Sequence, residues 1–146
     1  MPLPDFNADG DLPPGIHHAT MDEVVARFGG SGPTRHSCTR NLRYIYDLAK
    51  STGQLERIVV FGSYVTDKAA PNDVDVILVM SGTFHPSDVP IHASGLFDHA
   101  VAQARFGASV FWIKPSFALG EPLDDFLAHW QRKRDRSLRG IVEVIA

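Results

Sequence analysis

Residues 57–80 read RIVVFGSYVTDKAAPNDVDVILVM, and this stretch decides the fold. An apolar, β-branched run lies at each end and predicts a buried strand there. Between the two runs stand Gly62 and Ser63, followed by a linker rich in polar residues and proline. The second run opens on two aspartates, Asp73 and Asp75, one residue apart. The pattern therefore predicts strand, turn and strand, with polar groups close to both the turn and the second strand.

The aspartate pair favours a metal site. Side chains at positions i and i+2 of a strand point to the same face, so the carboxylates of Asp73 and Asp75 should converge. Unpaired, two such carboxylates repel each other and one takes up a proton. A hard cation removes that conflict, and Mg²⁺ (or Mn²⁺) favours a couple of carboxylates together with phosphate oxygens and waters. The alternative is a solvated pair at the mouth of a strand.

The turn favours a phosphate site. Gly62 can take a backbone conformation that is closed to other residues and lets a ligand approach the main chain. Ser63 offers a hydroxyl and an amide, and the N–H groups of a short helix after it would suit an anion. Lys68 follows closely and could reach a phosphate. The alternatives are a plain strand-to-helix turn and, for Lys68, a solvated loop lysine.

Taken together, these residues resemble the nucleotidyltransferases of the DNA polymerase β superfamily, whose signature is Gly-Ser, about ten residues, then Asp-x-Asp. The resemblance covers residues 58–80 closely. More loosely, residues 12–17 and 139–143 look like the ends of a family of small bacterial nucleotidyltransferase-like proteins. The resemblance to the superfamily implies that Gly62 and Ser63 hold the triphosphate of ATP or another nucleoside triphosphate. It also implies that Asp73 and Asp75 are the catalytic, metal-binding pair.

One departure from the resemblance matters. Active members usually carry a third carboxylate on a following strand, where it completes a second metal site and helps to activate the attacking hydroxyl. The matching strand, residues 108–113, contains no acid, and Ser109 is its best-placed polar residue. Two-metal catalysis stabilises both the attacking and the leaving oxygen. The loss of one carboxylate should therefore weaken binding of the metal on the attacking side more than binding of the metal on the nucleotide side. Asp67, Asp98 or Glu121 could substitute, one metal could suffice, or the site could bind nucleotide without turning it over.

The resemblance implies transfer of a nucleotidyl group, AMP from Mg-ATP, to a hydroxyl on a protein or RNA acceptor. Similar minimal nucleotidyltransferases occur as antitoxins, so a toxin-like partner protein is a further expectation. The alternative is a catalytically weak or inactive binding module of the same fold, such as an antitoxin-like partner protein.

Composition sets broad limits. The chain has 146 residues, a formal net charge of −3 and one cysteine, Cys38. The length suits one domain, and the charge gives no general attraction to nucleic acid. A single cysteine excludes an internal disulfide, and no apolar run approaches the length of a membrane span. We therefore expect a cytoplasmic protein without membrane contact.

The order of patterns predicts an α/β (α+β) fold, a small mixed β-sheet backed by helices with the site at one sheet edge. Residues 1–15, with four prolines, predict an extended N-terminal arm, and residues 16–146 a single nucleotidyltransferase-like domain. Besides the two strands above, the periodicity predicts four helices, a strand near 110–113 and a terminal strand. The helices are predicted at Met21–Phe28, Thr34–Lys50, Ser94–Arg105 and Leu123–Arg134, and the terminal strand at Ile141–Ile145.

The basic run 132–139 has two interpretations. As the solvated end of the last helix, its cations suit the helix dipole. As a functional feature, it could bind a triphosphate, an RNA backbone or an acidic partner protein. The sequence favours the solvated helix end.

Overall fold

The computed structural model describes residues 3–30 and 32–145. Within these residues five strands form one mixed sheet in the order β1-β5-β2-β3-β4. The outer pairs β1–β5 and β3–β4 are parallel, whereas β5–β2 and β2–β3 are antiparallel. The predicted α/β class is confirmed. The strands are β1 (Ile16–Thr20), β2 (Leu55–Phe61), β3 (Val74–Met80), β4 (Ala108–Ile113) and β5 (Ile141–Ile145).

Helices cover both faces of the sheet. One face packs against the helices α1 (Met21–Phe28), α2 (Pro33–Ser51) and α3 (His99–Phe106), and the other packs against α4 (Leu123–Ala128). The interior strands β2, β3 and β5 carry buried residues on both faces, which explains their largely apolar runs. None of the helices in the described ranges is long and apolar enough to cross a membrane.

The first predicted helix begins where its capping signal stands. Thr20 Oγ1 accepts from Glu23 N, and the Glu23 carboxylate accepts from Thr20 N, so the capping box is confirmed. The predicted helix over 94–105 is divided. A 3-10 turn spans Ser94–Phe97, and α3 begins after Asp98 because the Asp98 carboxylate accepts from Val101 N and so caps a new helix.

The prediction of a helix up to Arg134 was wrong. α4 ends at Ala128, a 3-10 turn follows, and the chain then leaves the helix axis. Arg132 pairs with Leu138, and the Lys133 N–H donates to the Ser137 carbonyl at 2.8 Å. These bonds close a loop over residues 132–139, named the basic loop below, so that its cations stand on a loop and not on a helix end.

Strand β1 is missing from the sequence prediction. Its adjacent histidines, His17 and His18, break the alternation that marks a strand. The strand forms by pairing in parallel with β5, which lies at the other end of the chain. Strand β5, predicted as a terminal strand, is confirmed and lies inside the sheet between β1 and β2.

The segment before β1 packs against the domain. Leu12 is fully buried, and its carbonyl accepts from the Gly140 N–H at 2.9 Å. The Gly10 carbonyl accepts from the Asp67 N–H at 2.9 Å. These contacts fix residues 10–12 beside the turn after β2 and the start of β5. The division of the chain into an arm and a domain at residue 15 stays a prediction.

Candidate functional site

A glycine with a left-handed backbone ends strand β2. Gly62 has φ 79° and ψ −163°, a conformation that residues with a Cβ adopt only under strain. The space is also closed: a Cβ on Gly62 would overlap the carboxylate of Asp75 and lie 3.0 Å from its Cγ. Glycine is therefore required twice here, for the turn and for the close approach of β3. Ser63 begins the 3-10 turn Ser63–Val65 that follows.

A buried arginine holds the chain after this turn. Arg35, on α2, is 7% exposed, and its guanidinium donates to the carbonyl oxygens of Tyr64, Thr66 and Lys68 as well as Phe28. Hydrogen bonds from a charged donor to buried carbonyls are costly to lose. Sequence reasoning missed this role, because the spacing of Arg35 in its helix shows only that it lies off the apolar stripe.

The two predicted carboxylates lie together. Asp75 is the second residue of β3 and stands opposite Ser109 of β4 in the parallel register. It shares the strand face of Ile77, which packs towards α4. Asp73 Oδ2 accepts from Ser109 Oγ and from Gln103 Nε2, both at 3.4 Å. Ser109, predicted as the best-placed polar residue of its strand, thus lies between them, and Gln103 is an additional neighbour that sequence reasoning missed.

The charged form of Asp75 is disfavoured, first by its burial and then by the charge of Asp73. Burial, and after it the nearby charge of Asp73, raises the pKa of Asp75 to about 6 from a usual value of 3.8. Hydrogen bonding to Ser109 and the charge of Arg139 act in the opposite direction. Near neutral pH, Asp75 therefore carries its charge at a cost that a cation placed beside it would remove.

A cavity of about 450 Å³ opens beside Asp75, whereas Asp73 is not among the residues that line it. One wall consists of Phe61, Gly62, Ser63 and Asp75, at the ends of strands β2 and β3. Both strands are interior, so the site lies at the ends of β2 and β3. The opposite wall comes from the segment after α4: His129, Trp130, Arg132, Lys133, Arg134 and Arg139.

This lining changes the interpretation of the cationic residues. Lys68, predicted to reach a phosphate, is exposed and is not among the residues that line the cavity. The basic loop, predicted as a solvated helix end, supplies the cations instead. No sequence spacing could show this, because the loop follows Ser63 by about seventy residues.

The carboxylates proposed as substitutes for a third metal ligand lie elsewhere. Asp98 caps α3, Glu121 pairs with His129 at 3.1 Å, and Asp67 lies against Gly10. Among the residues that the structure describes, no group of three histidine, cysteine or acidic side chains is arranged to hold a metal ion. The donor set present, Asp73 and Asp75, fits one divalent cation that takes its remaining oxygens from phosphate and water.

A family of unknown function, DUF6932, matches residues 4–145. The chain belongs to this family. No curated protein is significantly similar to it in sequence. Its structure is weakly similar to the crystal structure of a "putative nucleotidyltransferase" from Sulfolobus solfataricus, with a TM-score of 0.31 and 20% identity over 58% of this chain and 76% of the other. A similarity at that level carries no argument about function.

Proposed function

We propose that this protein binds a magnesium-bound nucleoside triphosphate in the cavity and transfers its nucleotidyl group, AMP from ATP, to a hydroxyl on a protein or RNA. The observation that carries the proposal is the lining. One cavity combines a glycine turn, a serine, a half-buried carboxylate of raised pKa and the cations of the basic loop. A binding site for an uncharged ligand has no need of this set, whereas a metal-bound polyphosphate uses every part of it.

The phosphates would lie between the two walls. Gly62 and Ser63 line the cavity on one side. Lys133 and Arg139 face it from the other, where charge-assisted hydrogen bonds to phosphate oxygens are strongest. Such contacts would orient the triphosphate so that its α-phosphorus comes near the carboxylate pair.

Asp73 and Asp75 would hold Mg²⁺ or Mn²⁺, which when bound offsets negative charge on the phosphates and on the leaving pyrophosphate. The acceptor hydroxyl oxygen forms a bond to the α-phosphorus, and the bond from that phosphorus to the oxygen bridging to the β-phosphate breaks. The hydroxyl proton passes to water, because Ser109 stands where a third carboxylate would accept it.

A second candidate has its own support. The described residues contain no third carboxylate at the pair, which favours a binding module that holds nucleotide without transfer, such as an antitoxin-like partner of another protein. A third reading, in which the aspartates are merely structural, predicts no Mg²⁺-dependent ATP binding.

The test follows an α-labelled phosphate. ATP labelled at the α-phosphate is incubated with the protein, Mg²⁺ and cell lysate, and transfer of label to protein and RNA is measured. Transfer is expected from the wild type and not from Asp75→Ala, while Asp47→Ala, an exposed aspartate of α2, serves as the control. If ATP binds and no label moves, the binding module is favoured.

Adding an acid tests the departure directly. Ser109→Asp places a carboxylate opposite Asp75, so we expect tighter Mn²⁺ binding and, for an enzyme, faster label transfer. Unchanged Mn²⁺ affinity in this variant would contradict the placement of the metal at Asp73 and Asp75.

A further inference from the structure

A buried aspartate outside the predicted site joins the two walls of the cavity. Asp11 is 5% exposed, although it lies in a proline-rich segment near the start of the chain. Its Oδ2 accepts from Lys133 Nζ at 2.7 Å, and its Oδ1 lies 3.7 Å from Arg139 Nη1. Each carboxylate oxygen of Asp11 thus faces a different cation of the basic loop.

The main chain around Asp11 is bonded to the segment that follows the glycine-serine turn. Asp11 forms a β-bridge with Thr66, and the Gly10 carbonyl accepts from the Asp67 N–H at 2.9 Å. Thr66 Oγ1 in turn donates to the Ser63 carbonyl at 2.6 Å. Asp11 therefore connects the glycine-serine turn, through its backbone, to the basic loop, through its side chain.

Such a connection matters because lysine and arginine side chains are flexible. Each loses considerable rotamer freedom when it is fixed on a ligand, and two cations held side by side repel each other. A carboxylate between Lys133 and Arg139 reduces the repulsion and fixes both directions before the ligand arrives, which lowers the entropic cost of binding. The hydrogen bond to Asp11 also raises the pKa of Lys133, so its charge is secured.

We propose that Asp11 is a positioning residue, which orients Lys133 and Arg139 towards the terminal phosphates of the ligand and makes the N-terminal segment part of the site. The identity of the ligand as a polyphosphate rests on the proposed function. The role itself rests on the contacts of Asp11 within the protein.

Two roles for Asp11 predict opposite signs. If Asp11 only offsets positive charge, Asp11→Asn makes the cavity more positive and tightens the binding of anions. If Asp11 positions the two cations, Asp11→Asn weakens binding by about tenfold, the usual effect of losing an interaction with a charged group. Dissociation constants for Mn²⁺-ATP and for inorganic tripolyphosphate, measured by calorimetry, decide between them. Binding as tight as the wild type, or tighter, would overturn the proposal.

Matched variants separate charge from position. Asp9→Asn makes the same charge change in the same segment. Asp9 is exposed and forms no ion pair in the described ranges, so we expect affinities within about twofold of the wild type, as for a screened surface charge. Asp11→Glu keeps the charge and displaces the carboxylate. Positioning by Asp11 predicts that this variant binds more weakly, whereas a charge effect alone predicts no change in affinity.

The outcomes remain distinguishable. If Asp11→Asn fails to fold by circular dichroism, Asp11→Glu carries the test, and loss of folding in both variants would assign Asp11 a purely structural role and overturn the proposal. If the wild type binds tripolyphosphate and not Mn²⁺-ATP, the proposed function falls and the tripolyphosphate series still decides the role of Asp11. If it binds neither, both proposals fall.

Discussion

The cost of charging Asp75 leads to a prediction about stability. Asp75→Asn keeps the shape of the side chain and removes its titration. Because the pKa in the folded protein is raised, the folded state favours the protonated form, and stability is lost as the pH rises from 3.8 through about 6. Above that range the wild type carries the full cost of the charge, and the asparagine variant carries none. Asp75→Asn should therefore be the more stable protein at pH 8 without metal.

The magnitude follows from the two pKa values. A displacement from 3.8 to about 6 corresponds to about 3 kcal/mol at about 1.36 kcal/mol for each tenfold change in proton affinity. Asp75 faces an open cavity, where water and salt reduce such effects, so we expect a gain of about 1 to 2 kcal/mol at pH 8. The gain should shrink as the pH falls and vanish near pH 3.8.

Urea unfolding at several pH values measures the gain, with Asp47→Asn as an exposed-aspartate control that should change little. Mg²⁺ should reverse the order, since it stabilises only a protein that binds it. A carbon NMR titration of the Asp75 carboxyl should give a pKa of about 6 without Mg²⁺ and a lower pKa with it. The reasoning is refuted if Asp75→Asn is less stable than the wild type at pH 8, or if that carboxyl titrates near 3.8 without metal.

Two further substitutions test the frame of the site. Gly62→Ala should destabilise by about 3 kcal/mol and abolish Mn²⁺-ATP binding, because backbone strain adds to overlap with Asp75. Gly53→Ala, also at positive φ but with open space around its Cβ, should cost about 1 kcal/mol; equal losses of stability on urea unfolding would contradict the overlap. Arg35→Met should lower the free energy of unfolding by about 3 kcal/mol, because buried carbonyls lose their donor. Arg43→Met, an exposed position on the same helix, should change it little. A small effect of Arg35→Met on the melting temperature would show that water replaces the guanidinium.

The sequence predicted the elements whose signals are local. The strands β2 and β3 follow from continuous apolar runs, and α1 follows from its capping box. The proximity of Asp73 and Asp75 was predicted from strand geometry, in which alternate residues share a face. In the structure Asp73 directly precedes β3, and Ser109 contacts both carboxylates. The absence of a third carboxylate at Ser109 could also be anticipated, because a parallel strand after β3 brings its second residue beside Asp75.

The features that the sequence did not predict depend on distant parts of the chain. Strand β1 exists because β5, more than a hundred residues later, offers it a partner. Arg35 has no nearby acid in sequence and is satisfied by carbonyls that the fold brings to it. The basic loop looks like a helix end until the pairing of Arg132 with Leu138 turns it over the cavity.

By itself, then, the sequence determined a glycine turn and a carboxylate pair, which lie within fourteen residues of each other. The turn and Asp75 of that pair form one wall of the cavity. Only the tertiary structure decided what faces that wall. The opposing cations, and the buried Asp11 that joins the two sides, come from the two ends of the chain. Charges separated by more than a hundred residues leave no periodic or spacing signal, because their proximity is created by the sheet and not by the local backbone.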